Sequence, residues 1–356
     1  MPDALELILA FAVAAGLVQV SVPLAIRLAR NTGFLDRPVG YKKHGRPTPY
    51  LGGLGVVAAV LPVALVAGGG LEVAVIVACA AGLCVVGIVD DRAHLGPAVR
   101  VLAEFTAAFA LWRMDIGWML WDGGFLDLVL TTLWVVGLVN AFNLMDNLDG
   151  ATGTVGGVSA LGVGVLAATQ SEPEIAGLMF ALAGGCAGFL RFNLARPSKV
   201  FLGDGGSMPI GFLLAAGITA IGSSGGFGTA AVFAVVPLVG LAVLDTSLVV
   251  FSRLRRGVGV LTGGRDHLTH RLLDYVGTPQ NVAIALAGAQ ALLCVVGFLL
   301  YDSSIVAVFL ASTAYVLLGA LAIALLEWPY VREEARAASE HALSPALAPA
   351  RQESGS

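Results

Sequence analysis

The chain has 356 residues, 57% of them hydrophobic and 12% charged, with a net charge of −4 and a mean hydropathy of +0.87. Its 46 glycines bring the apolar-plus-glycine share to about 70%, against roughly 45–50% for a soluble domain, more than a water-soluble fold of this size can hide. An integral membrane protein is implied, and the lack of a basic excess excludes a nucleic-acid partner.

Apolar runs of spanning length, roughly 17–25 residues, fall at 4–28, 51–69, 71–89, 97–113, 125–142, 151–169, 175–192, 207–223, 228–250, 279–300 and 304–327. They predict an all-α polytopic bundle of about eleven transmembrane helices, with one catalytic domain over 1–330. The stretch 331–356, rich in Ala, Pro, Ser and Glu without an apolar period, is expected to be a disordered cytoplasmic tail. The first run carries Asp3 and Glu6 and no basic n-region, so it reads as a membrane helix and not as a cleaved leader. Of the 20 basic residues, all but Arg113 fall on alternate connections or on the tail, which places those connections in the cytoplasm, the N-terminus outside and the C-terminus inside.

The basic-side connections carry the chemistry. In DRPVGYKKHGRPTPYLGG, Asp36, Lys42, Lys43 and His44 sit among prolines and glycines at the entrance to the second span; attraction to anionic lipid is the competing reading for the lysines. In GIVDDRAHLGP, Asp90 and Asp91 end the third span, where a carboxylate at membrane depth is costly and oppose the helix C-terminus. Adjacent helical residues point about 100° apart, so one acid would face a reacting phosphate and the other support it. In LVNAFNLMDNLDGATG, Asn140, Asn143, Asp146 and Asp149 recur every three residues along one ridge, a donor and acceptor set suited to a uracil and a ribose. The alternative is an Asx-rich turn.

Further on, FLGDGGSMPIGF sets Asp204 among Gly203, Gly205 and Gly206 just before a span. Backbone N–H groups there are expected to approach phosphate, and a lone carboxylate suits Mg²⁺, which takes one or two protein carboxylates plus substrate phosphates. In SRLRRGVGVLTGGRDHLTHRLL, Arg265, His267 and His270 lie on a basic loop suited to a diphosphate. Positive-inside anchoring accounts for Arg253, Arg255 and Arg256, and a zinc pair at the histidines lacks third and fourth ligands. Asp245 is expected to orient this loop or pack a helix. Cys79, Cys84, Cys186 and Cys294 lie inside apolar runs as small hydrophobes. Convergence of these segments on one face describes phosphoryl chemistry on a lipid-borne acceptor.

From about residue 30 to 275, the ordered motifs DRP, KKH, PTP, GIVDD, NAFNLMDNLDG, FLGDGGSMPIGF and RDHLTHRLL resemble the polyprenyl-phosphate N-acetylhexosamine-1-phosphate transferases, glycosyltransferase family 4. The resemblance implies transfer of a sugar 1-phosphate from a UDP-sugar to undecaprenyl or decaprenyl phosphate, with release of UMP, at the inner membrane of a bacterium. It implies that Asp204 ligates Mg²⁺ (Mn²⁺ being the alternative) and that Asp90 and Asp91 serve the lipid phosphate as catalytic residues. Lys43, His44, Asn140, Asn143, Asp146, Asp149, Arg265, His267 and His270 would bind the nucleotide sugar.

The HLTHR ending and the RAHLGP run are similar to members using UDP-N-acetylglucosamine (UDP-GlcNAc). UDP-MurNAc-pentapeptide is the alternative donor, and a transporter with buried acids is the alternative of another class. A homodimer is among the assemblies open to it. Against the family pattern, Asn147 stands where Gly is frequent, Thr269 where a further His is frequent, and Arg100 and Glu104 where Lys and Gln are frequent.

Overall fold

The structure is a computed structural model that describes residues 3–36, 47–68, 70–222, 229–260 and 262–343. Lys43 and His44 lie outside the described residues. The chain is an all-α bundle: α1 (Ala4–Thr32), α2 (Gly52–Gly68), α3 (Leu71–Ala93), α4 (Pro97–Arg113), α5 (Phe125–Met145), α6 (Ala151–Thr169), α7 (Pro173–Asn193), α8 (Asp204–Ala220), α9 (Thr229–Val235), α10 (Gly240–Arg255), α11 (Leu268–Val276), α12 (Pro279–Tyr301) and α13 (Ile305–Leu343). A two-residue ladder joins β1 (Leu35–Asp36) to antiparallel β2 (Thr48–Pro49), pairing Leu35 with Pro49 and Asp36 with Thr48.

Local chemistry sets the helix ends. Asp3 caps α1 by accepting the Leu5 N–H at 3.0 Å, and Thr278 caps α12 through the Asn281 N–H at 3.2 Å. Pro97, Pro173 and Pro279 each stand at the first helical position, where a missing N–H costs nothing. At the start of α5, buried Asp127 takes the N–H groups of Leu120, Trp121 and Gly123 at 2.8–3.2 Å, so this acid of the poorly charged face is a loop clamp.

Among the described residues, eight helices have at least 18 residues and are apolar enough to cross a membrane. Three expected spans, α2, α4 and α8, have 17 residues each, about 25 Å of helix against a hydrocarbon core of about 30 Å. α8 needs no lipid-facing length, because nearly all of it is buried against α3, α5, α2 and α6. The expected span 228–250 is broken by a 3-10 turn at Val236–Val239, where Pro237 has no N–H to continue a helix. α13 continues to Leu343, into the segment expected to be disordered: its Ala, Glu and Arg residues favour helix without any apolar stripe. Residues 344–356 lie outside the described residues.

The core centres on α7, enclosed by α1, α2 and α6, and on α8. Large apolar side chains on the outward faces of α1, α12 and α13, including Phe309 and Leu325, remain exposed. That is the inverse of a soluble surface and suits lipid contact. The four cysteines are free; Cys84, Cys186 and Cys294 are buried and Cys79 half-buried.

Candidate active site

The amino end of α8 is the anchor. Residues 201–202 pair with the entrance to α2: the Phe201 N–H donates to Pro49 O at 2.9 Å, while the Gly52 and Gly53 N–H groups donate to Phe201 O and Leu202 O at 3.0 and 2.8 Å. Gly203 then turns the chain at φ +72° into α8. The backbones here are in contact: a Cβ on Gly53 would lie 2.2 Å from Gly206 N, and one on Gly87 would lie 2.4 Å from the Asp204 carbonyl. These glycines serve helix packing.

Their N–H groups do not await a phosphate, contrary to the sequence expectation. The Gly203 N–H donates to Asp146 Oδ2 at 3.2 Å. Those of Asp204 and Gly205 donate to the two oxygens of Asp91 at 3.1 and 3.3 Å. Asp91 thus holds the turn that presents Asp204, the supporting place that the sequence reserves for one of the two acids. Neighbours on a helix diverge, and Asp90 faces elsewhere.

The Asp204 carboxylate joins three helices. Its Oδ1 accepts Asn143 Nδ2 of α5 at 2.7 Å, and Asn143 also reaches Ser207 Oγ at 3.0 Å. Its Oδ2 accepts Arg100 Nη1 of α4 at 3.3 Å, and the same nitrogen donates to Asp90 Oδ2 at 2.9 Å. One guanidinium therefore draws together Asp90, which is only 8% exposed, and Asp204. Arg100 counted in the sequence as an inside charge and as a departure from the family pattern, and a helical register from Asp90 could not have found its partners.

Asn143, Asp146 and Asp149 also line an open cavity of about 430 Å³, with Asp36 and Tyr50 from the β-ladder side and Arg265, His267 and His270 from the loop between α10 and α11. Asn140 is not in its wall: its Nδ2 donates to buried Glu104 Oε2 at 2.6 Å, so the expected ridge of four polar residues contributes three to the cavity. Asn193, at the end of α7, fixes the turn after α5. It accepts the Gly150 N–H at 2.6 Å and donates to Asp149 Oδ1 at 3.3 Å and Val200 O at 3.0 Å. Asn147, in the cavity wall, and buried Thr269, both departures from the family pattern, are hydrogen-bonded to each other.

The loop side is set by ion pairs. His267 Nδ1 donates to Asp245 Oδ2 at 3.0 Å, and the Leu268 N–H donates to Asp245 Oδ1 at 2.6 Å, so Asp245 orients the loop as expected. Burial would raise Asp266, but hydrogen bonds from Arg253 hold its carboxyl down at about 2. Burial, then Arg265 and His267, push His270 down to about 4, keeping it neutral, and its buried Nδ1 has no hydrogen-bond partner among the described residues. Burial and then Asp204 push Asp146 up to about 8, and burial with Asp91 raises Tyr50.

Asp90, Asp91, Asp146 and Asp204 converge at the α8 turn: Arg100 is bonded to Asp90 and Asp204, while Asp91 and Asp146 accept backbone N–H groups. No three His, Cys, Asp or Glu side chains among the described residues form a metal cage. This donor set fits Mg²⁺ bound by one or two carboxylates and completed by phosphates, and it does not fit zinc.

Comparison with known proteins agrees with the architecture. The chain is 33% identical over 301 residues to the decaprenyl-phosphate N-acetylglucosaminephosphotransferase of Mycolicibacterium smegmatis, covering 73% of each chain. It is 26% identical over 292 residues to the undecaprenyl-phosphate alpha-N-acetylglucosaminyl 1-phosphate transferase of Escherichia coli, covering 77% of this chain and 78% of that one. A sequence model described as glycosyl transferase family 4 matches residues 73–222, the stretch that carries Asp90, Arg100, Asn143, Asp146 and Asp204. The chain, a multi-pass membrane phosphoglycosyltransferase, belongs to glycosyl transferase family 4.

Proposed function

We propose that the chain transfers N-acetylglucosamine 1-phosphate from UDP-GlcNAc to undecaprenyl or decaprenyl phosphate, releasing UMP and starting a lipid-linked surface glycan. The observation that carries this reading is the Arg100 bridge between Asp90 and Asp204, beside the cavity that Asn143, Asp146 and Asp149 share with Arg265 and the histidines. The names of the relatives support the reaction class. The RAHLGP and HLTHR segments support the donor. The basic residues support a plasma-membrane enzyme working on the cytoplasmic side.

In this reading Asn143, Asp146 and Asp149 bind the nucleoside, and Arg265 with His267 and His270 holds the diphosphate. Neutral His270 can donate or accept at its free ring nitrogen. Asp90 takes the proton of the acceptor phosphate and Arg100 orients that phosphate. An acceptor oxygen bonds to the β-phosphorus of the donor while the bond to the bridging oxygen breaks, and its electron pair leaves with UMP. Asp204, held by Asn143 and Arg100, would ligate Mg²⁺ (or Mn²⁺), which lowers the charge at the diphosphate when bound.

Purified protein with UDP-GlcNAc, polyprenyl phosphate and Mg²⁺ should release UMP only when the lipid is present, and Asp204→Asn or EDTA should abolish the release. Turnover with UDP-MurNAc-pentapeptide and not with UDP-GlcNAc would overturn the donor and keep the reaction. Lack of turnover with every UDP-sugar from folded protein would overturn the reading.

A further inference from the structure

Behind the α10–α11 loop lies a second cavity, of about 300 Å³, that the proposed transfer does not use. Five arginines line it: Arg253, Arg255, Arg256, Arg265 and Arg271. Among the described residues, Asp266 binds both Arg253 and Arg256, and Glu327 of α13 binds both Arg255 and Arg271. The Asp266 trio keeps an excess positive charge, and Arg265 adds to it. Arg253 and Arg271 are buried, and cations gathered around an open space repel one another unless an anion joins them.

The position of the cavity identifies the anion. It lies where α10 ends and where α13 carries Trp328 and Tyr330, 54% and 39% exposed. Arg332 stacks over the Trp328 ring at 4.9 Å and Arg271 over the Tyr330 ring at 4.7 Å. Paired aromatic and arginine side chains at the end of an apolar helix mark the headgroup level of a bilayer. Guanidinium forks match phosphate oxygens in pairs, and basic pockets between helix ends take acidic headgroups.

We propose that this arginine-lined cavity is a binding site for the phosphate of an acidic phospholipid. Residues 262–265 wall both this cavity and the polar one beside Asn143, so headgroup occupancy also props the loop that carries Arg265. That last consequence rests on the function proposed above; the binding does not.

The test uses the full chain in nanodiscs of phosphatidylcholine with or without phosphatidylglycerol. Retained phosphatidylglycerol is counted by mass spectrometry and the unfolding midpoint is measured. The double variant Arg255→Gln/Arg256→Gln leaves Asp266 with Arg253 and Glu327 with Arg271. It should unfold like the parent in pure phosphatidylcholine yet hold phosphatidylglycerol roughly thirtyfold less, at about 1 kcal/mol per arginine. The Arg255→Lys/Arg256→Lys pair should keep most of the retention. Equal retention by the Gln pair, or a lowered midpoint in pure phosphatidylcholine, would overturn the proposal in favour of a structural ion network. Stabilisation by inorganic phosphate equal to that by phosphatidylglycerol would overturn the lipid as the source of the anion. UMP release, read in parallel, reports on the transfer reaction separately.

Discussion

Asp91→Asn separates a catalytic from a supporting acid. In the native turn, its two oxygens accept the Asp204 and Gly205 N–H groups at 3.1 and 3.3 Å. The amide keeps one oxygen acceptor and turns an NH₂ group toward the other N–H. One charge-assisted bond is lost and a buried donor is left unmet, which together cost about 1–3 kcal/mol. The α8 turn should loosen and unfolding in detergent should come earlier. Lipid-dependent UMP release should fall by about tenfold to a hundredfold through misplacement of Asp204. Asp90→Asn should instead leave the unfolding midpoint near the parent's and remove turnover. Both are checked by thermal unfolding and UMP release on the same preparations. An Asp91→Asn protein as stable as the parent but without turnover would refute the supporting role and return Asp91 to the reacting phosphate.

Arg100→Gln should cut kcat/KM by about tenfold to a hundredfold, measured by initial rates, because a charge-assisted contact to two carboxylates is worth about 1.5–3 kcal/mol. His270 should make stability depend on pH. Its folded value of about 4 lies below the ordinary 6.5, so the unfolded chain takes the proton first. Stability should therefore fall as pH drops from 6.5 toward 4, and His270→Asn should flatten that slope in unfolding scans. Gly87→Ala should destabilise by at least about 1–3 kcal/mol through its clash with the Asp204 carbonyl, whereas Gly82→Ala on the same helix, with open space around it, should be neutral or slightly stabilising by the same scans.

The membrane class, the segments that converge and the pocket-lining Asn143, Asp146, Asp149, Arg265, His267 and His270 were legible because hydropathy and motif spacing are local properties. Partnerships across the fold were not. Asp90 and Asp91 are equivalent on paper, and only the packing of α3 on α8 assigns one to Arg100 and the other to a backbone turn. Asn140 kept its place in the three-residue ridge, but Glu104 on α4 captures it. The burial of α8 was illegible for a related reason. A helix surrounded by protein need not match the bilayer, and hydropathy does not report what surrounds a helix. Arg100 and Glu104 entered the sequence reading as departures from the family pattern, without their partners, and Tyr50 gave no signal of its own.

The backbone contacts at Gly53, Gly87 and Gly206 divide the catalytic pocket into two mechanical halves. Where main chain meets main chain there is no side chain to change rotamer, so α8 cannot slide against α2 or α3 without breaking the turn that carries Asp204. The floor that carries Asp204 is in effect cast in place. Substrate exchange must then be accommodated by the opposite wall, where Thr262, Gly263 and Arg265 are exposed on a loop held by Asp245, by Asp266 and by the Arg253 contact to Val260 O. Substitutions that stiffen that loop should slow release of UMP more than they disturb the chemistry, a signature open to single-turnover kinetics.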